Sequence, residues 1–195
     1  MRIYDISQEI FSGAVYKGDP IPSATPLQLL SKGDDCNLSA ISLCVHNATH
    51  IDAPSHYIQG GKTIDQLELV QTVGPCVVLE ANGSIDADFL TPLLDRGVKR
   101  ILFKNNGTLG IKAARTLADH GVLLVGTENQ SIGNGKMEDD VHQALLGNGV
   151  AILEGIVLTD VPEGNYFLSA APLKLGGLEG APCRALLIDY VLGAQ

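Results

Sequence analysis

The chain has 195 residues, 45% of them hydrophobic, and carries a net charge of −9 from 13 Lys and Arg against 22 Asp and Glu. That content suits one domain, 1–195, with a full core, while so few cations exclude a face for nucleic acid and leave a small molecule as the expected partner. No segment reaches the roughly 20 apolar residues that span a bilayer, and MRIYDISQEI lacks a charged region followed by an apolar run, so the expectation is a cytoplasmic protein without membrane contact.

In chain order, AISLCVH at 40–46 alternates Ile41, Leu43 and Val45 with Ser42, Cys44 and His46, which predicts a half-buried strand ending at His46 on its polar side. Short apolar runs at 75–80, 100–104, 121–126, 149–155 and 184–189, each bounded by Gly, Pro or charge, predict strands buried on both faces. Helical patterns lie between them. One runs through TPLLDRG with Thr91 as cap and Pro92 as first helical residue, one through IKAARTLADH to Gly121, and one through EDDVHQALL to Gly147. Strand and helix alternate from about residue 75 to 155, which predicts a mixed α/β domain with some parallel strands. Gly60-Gly61-Lys62-Thr63 is not a phosphate loop, because His56 occupies the position of the required first glycine. Cys36, Cys44, Cys76 and Cys183 show no C-x-x-C spacing and are expected to be reduced and structural.

Three of the five histidines and an aspartate fall within the eleven residues His46-Asn-Ala-Thr-His50-Ile-Asp52-Ala-Pro54-Ser-His56. A helix would put Asp52 about 240° from His46, and Pro54 disfavours helical geometry at Ala53. A straight strand would separate His46 and His50 by about 13 Å, near the limit for two imidazoles on one ion. A turn over Asn47 to Thr49 that returns His50, with Asp52 two residues further on the same side, solves both problems. Two imidazoles and a carboxylate suit Zn²⁺, Mn²⁺ or Fe²⁺ and leave a coordination position open for water. His142 lies about one turn into its helix and Glu154 closes an apolar strand, a costly place for a carboxylate unless it is paired, ligates a cation or reaches solvent. His120 precedes Gly121 at a helix end, where a cation suits the dipole, and is left out of the site.

The eleven-residue cluster resembles the signature His-x-Gly-Thr-His-x-Asp-x-Pro-x-His of the cyclase family of metal-dependent hydrolases, which includes bacterial kynurenine formamidase; Ala48 replaces the glycine. DIS at 5–7, Gly-Asp-Pro at 18–20, GPCVVLE at 74–80, HQALLGNGVAILEG with its separation of twelve between His142 and Glu154, and APLKLGGLEGAPCRALLID are also similar. The resemblance implies a compact α/β domain of the swivelling β/β/α type with a mixed sheet, assembled as a homodimer or homotetramer. It further implies one or two Zn²⁺ or Mn²⁺ ions, the first held by His46, His50 and Asp52, the second by Asp52, His142 and Glu154, with His56 as acid/base.

The activity this implies is hydrolysis of a small amide or ester by metal-bound hydroxide, available because the ion lowers the pKa of its water to about 7. An arylformamidase that turns N-formylkynurenine into kynurenine and formate is the leading expectation; an isatin hydrolase-like enzyme or another cyclic amide or lactone hydrolase is the alternative. Family formamidases place a tryptophan near the Pro-Gly-Asp segment, whereas this chain has none and carries Tyr16-Lys17 there; Tyr16, Tyr57 and Phe11 are candidates to replace it, or to pack. GTENQSIGNG at 126–135 also departs from the family's Asp-containing stretch. A non-catalytic metal-binding protein is the rival from another class, against which stands His56, since a metal holder needs no acid/base beyond its ligands.

Overall fold

The computed structural model describes residues 1–133 and 135–189; Asn134, within the 126–135 stretch, and residues 190–195 of the expected 1–195 domain lie outside the described residues. In chain order the elements are β1 (Arg2–Asp5), β2 (Ser23–Gln28), β3 (Leu38–Ser42), β4 (His50–Asp52), α1 (Leu69–Thr72), β5 (Val73–Glu80), β6 (Ser84–Ile85), α2 (Ala87–Leu94), β7 (Arg100–Lys104), β8 (Thr108–Leu109), α3 (Ile111–Asp119), β9 (Leu124–Thr127), α4 (Glu138–Leu146), β10 (Ala151–Glu154), β11 (Gly164–Ser169), β12 (Gly180–Pro182) and β13 (Leu186–Asp189). Nine strands form one mixed sheet in the order β1-β13-β11-β5-β7-β9-β10-β4-β12. The expected α/β class with a mixed sheet is the one observed.

The central strands β5, β7, β9 and β10 are parallel neighbours. Their crossovers carry α2, α3 and α4, as parallel pairs require. Side chains alternate between two cores. Ile101, Phe103, Val125 and Ile152 face the helices, meeting Leu90, Leu117, Val141 and Leu145. Val78, Leu102, Leu124 and Leu153 face the inside of the curled sheet, with Ile51, Leu168, Ala181 and Leu187. Chain just after β1 ties the two sides of the curl: Ile6 N donates to Ala185 O at 3.0 Å and Val157 N to Ile6 O at 2.9 Å.

Two expectations need correction. The strand expected over 40–46 stops at Ser42, because the backbone N and O of Cys44 are engaged by Asn47 in a turn. β3 is exposed along its length and, among the described residues, pairs only with β2, in a two-stranded ribbon. Alternation reported a strand correctly but not what would cover it. The helix expected to start at Pro92 behind a Thr91 cap starts at Ala87, since Asp86 caps it by accepting from Phe89 N at 2.9 Å. Pro92 is therefore internal, and no N–H of residue 92 reaches Asp88. The thiols match expectation in being free, and burial pushes both Cys76 and Cys183 up to about 12, although Cys36 is exposed.

Candidate metal centre

The site begins with a turn. Asn47 N donates to Cys44 O at 3.1 Å and Asn47 Oδ1 accepts from Cys44 N at 2.8 Å, which places His46 at the turn and buries Asn47. Ala48, where the motif glycine is expected, adopts φ 55, the left-handed region that costs an L-residue about 1–2 kcal/mol. Thr49 then anchors the segment: its hydroxyl donates to Gly155 O at 2.6 Å and accepts from Gln8 N at 2.9 Å. Pro54 opens a short 3-10 turn, Pro54–His56, that redirects His56 toward the same cavity.

β4 lies between β10 and β12. Its register pairs His50 with Glu154 and Asp52 with Ile152 on one side, and Asp52 with Gly180 on the other. Cross-strand partners share a face, so His50, Asp52 and Glu154 point together while Ile51, Leu153 and Ala181 enter the curled-sheet core. α4 supplies His142 from above, because Val141 and Leu145 of the same helix are core residues.

Distances around Asp52 define the cluster. His46 Nδ1 is 2.9 Å and His50 Nε2 3.4 Å from Asp52 Oδ1. His142 Nε2 is 3.8 Å from Asp52 Oδ2 and 3.3 Å from Glu154 Oε1, and His50 Nε2 is 3.5 Å from Glu154 Oε2. Glu154 Oε1 also accepts from Ile132 N at 2.8 Å, a backbone donor that aims the carboxylate. Burial opposes the charged form of His50, but hydrogen bonds to Asp52 and Glu154 outweigh it and hold that imidazole well above its usual value. The same balance raises His142 to about 9. Burial pushes the Asp52 carboxyl up, yet His46 and His50 prevail and hold it well below the carboxylate range.

His56 completes the cluster from the open side. Its ring stacks on His46 at 4.1 Å between centroids and lies 6.1 Å from that of His142. Burial lowers its pKa below the usual 6.5, leaving it neutral at pH 7. These rings border a cavity of about 290 Å³, also lined by Tyr16, Tyr57, Gln130 and Ser131. A larger cavity, about 600 Å³, is lined by Ile10, Phe11, Leu173 and Cys183 and contains none of the clustered histidines. Of the three aromatics that were candidates either to flank a substrate or to pack, the structure brings Tyr16 and Tyr57 to this cavity and puts Phe11 in the other.

Sequence reasoning, through the family resemblance, implied one site of His46, His50, Asp52, His56, His142 and Glu154, and the structure brings these side chains near one another. The same reasoning missed Glu138 and Asp139, which accept from Tyr16 Oη at 3.1 Å and Tyr57 Oη at 3.2 Å and fix both phenols over the cavity. Acidic residues in a first helical turn have a sufficient explanation in the dipole, so no signal set them apart. His120 is correctly outside: its Nδ1 lies 2.8 Å from Thr116 O at the end of α3.

The residues fit a divalent cation on two counts. Asp52 Oδ2 is buried without a hydrogen-bond partner among the described residues, an arrangement costly in a site built only of hydrogen bonds. The ligand atoms of His46, His50 and Asp52, and those of Asp52, His142 and Glu154, lie within 4.8 Å of one another. Asp52 belongs to both sets.

Comparison with known proteins agrees. The model of the Cyclase family, described as "Putative cyclase", matches residues 4–94. Kynurenine formamidase of Salinibacter ruber is 35% identical over 97% of this chain and 98% of its own. The solved structure of a predicted metal-dependent hydrolase from Bacillus stearothermophilus superposes with a TM-score of 0.80 at 34% identity, covering 95% of this chain and 97% of that one. Isatin hydrolase A from Labrenzia aggregata, at 20% identity and TM-score 0.81 over 97% of this chain and 94% of that one, shares the fold. The motif around Asp52, the fold and the full-length similarity together establish that this chain belongs to the cyclase family of metal-dependent hydrolases.

Proposed function

We propose that the protein hydrolyses a small amide, with an aryl formamide such as N-formylkynurenine as substrate and formate and the aromatic amine as products. One observation carries the reading: three imidazoles and the Glu154 carboxylate converge on buried Asp52 beside a cavity that a fourth imidazole, His56, borders. Full-length similarity to kynurenine formamidases supports the choice of substrate. His46, His50 and Asp52 would hold a first Zn²⁺ or Mn²⁺, and Asp52, His142 and Glu154 a second. When bound, such a cation supplies Lewis-acid polarisation of a carbonyl and brings the pKa of water to about 7.

The remaining chemistry belongs to side chains. His56, neutral at pH 7, accepts a proton from water as it adds to the formyl carbon and returns it to the nitrogen as the C–N bond breaks. Tyr57 stays a phenol, because burial and Asp139 raise it far above its usual value, so its ring is an uncharged wall for an aryl group. Assembly into a homodimer or homotetramer is part of the proposal: the ribbon of β2 and β3 exposes Leu27, Leu38 and Ile41, and an isolated two-stranded ribbon is marginal in water. So is a cytoplasmic location, which free thiols favour; among the described residues no helix is long and apolar enough to cross a membrane.

The test is a panel of aryl formamides, isatin-like cyclic amides and simple esters, assayed with zinc or manganese and after chelation. The expected result is metal-dependent turnover greatest on aryl formamides. Preference for the cyclic amide would transfer the chain to the ring-opening alternative, and metal uptake without turnover on any member would favour the binding protein.

A further inference from the structure

His50 and His142 direct one ring nitrogen toward the carboxylates and back the other with a main-chain carbonyl: His50 Nδ1 lies 3.0 Å from Ala48 O, His142 Nδ1 2.8 Å from Glu138 O. Such backing fixes the tautomer and orientation of a metal-ligating imidazole. His46 departs from the pattern. Its Nδ1 faces Asp52 at 2.9 Å, but its outer nitrogen, Nε2, is buried and makes no hydrogen bond among the described residues. Glu179 Oε1 stands 3.7 Å from it.

The surroundings of Glu179 are built for that approach. Its carbonyl accepts from Ala53 N at 2.8 Å, pinning it beside the residue that follows Asp52. Gly180 comes next, paired with Asp52 across β12 and β4, and a Cβ there would lie 2.8 Å from His46 Cε1, so only glycine leaves the ring its place. The Glu179 side chain is 40% exposed, and 3.7 Å exceeds an N–H···O bond by only about 0.8 Å.

We propose that Glu179 is the positioning residue of the first cation site: its carboxylate accepts the Nε2 proton of His46, which turns Nδ1 to the cation and locks the ring in that tautomer. This rests on the metal reading of His46, His50 and Asp52. Glu179 touches neither cation nor substrate in this role; it acts through His46, strengthening the imidazole as a donor by drawing on its proton.

The experiment uses the full chain, stripped with chelator and titrated with zinc against a chromophoric competitor, for the wild type, Glu179→Gln, Glu179→Asp and a charge control, the exposed Asp160→Asn. Glu179→Gln is expected to weaken zinc binding about 10- to 100-fold, the range for such outer partners, with Glu179→Asp in between and Asp160→Asn unchanged. Melting temperatures of the stripped proteins should stay together, which separates positioning from loss of fold. Long-range ¹H–¹⁵N spectra of the zinc-loaded wild type should show the His46 proton on Nε2, a readout independent of any variant. Zinc binding by Glu179→Gln as tight as wild type, or the proton on Nδ1, overturns the proposal. A wild type that takes up no zinc removes the metal reading and this inference with it, a failure distinct from wild-type uptake that the variants leave untouched.

Discussion

His56 is the sharpest residue-scale test, because it borders the cavity without belonging to either cation set. His56→Ala should retain wild-type metal content while losing on the order of 10²- to 10⁴-fold in kcat, the usual share of a general acid/base; elemental analysis beside kinetics checks it, and lost metal would make His56 a ligand instead. Ala48 offers a second. Replacing it with Gly relieves about 1 kcal/mol of left-handed strain but exposes the space of a buried methyl worth about 0.8 kcal/mol, so stability should move by less than about 1 kcal/mol. Ala48→Val puts a β-branched residue at φ 55, a conformation that side chain does not adopt, and should collapse both melting temperature and metal uptake. That the motif tolerates Ala48 follows from its single Cβ, and a sequence shows the substitution but not the φ angle it must accept.

Among the elements, Thr49 joins three parts of the chain through one hydroxyl. Thr49→Val removes the acceptor for Gln8 N and the donor to Gly155 O, and should cost about 1–3 kcal/mol in urea unfolding; an unchanged midpoint would show that this junction carries no weight. Elements were legible wherever a pattern recorded its own burial. The alternation of β5, α2, β7, α3, β9, α4 and β10 could be read because each strand is apolar on both faces and each helix has a defined end, such as Gly121 at φ 63. β12 could not, since Gly180, Ala181 and Pro182 have little strand propensity and form a strand only because β4 lies alongside. The same holds for β4, three residues long and defined by its neighbours. Hence the ligands of the site were readable as a motif, whereas Glu179 and Gly180, brought near by that pairing, were not.

For the molecule as a whole, protons and cations compete for the same imidazoles. His142, raised to about 9 beside Glu154 and Asp52, contributes stability in chelator-treated protein that is fully present below about pH 6.5 and lost as pH rises through about 9. Metal requires those rings neutral, so its stabilisation runs the other way. The melting-temperature gain from added zinc should therefore be small near pH 6 and larger near pH 8; a gain that shrinks with rising pH would deny that these histidines bind it. The central claim is that Asp52 and its surrounding imidazoles form a cation site. Anomalous diffraction from crystals grown with zinc tests it most directly: the account predicts a peak about 2.0–2.2 Å from His46, His50 and Asp52 ligand atoms. Zinc absent there, with these side chains bonded only to one another in zinc-containing crystals, would contradict it.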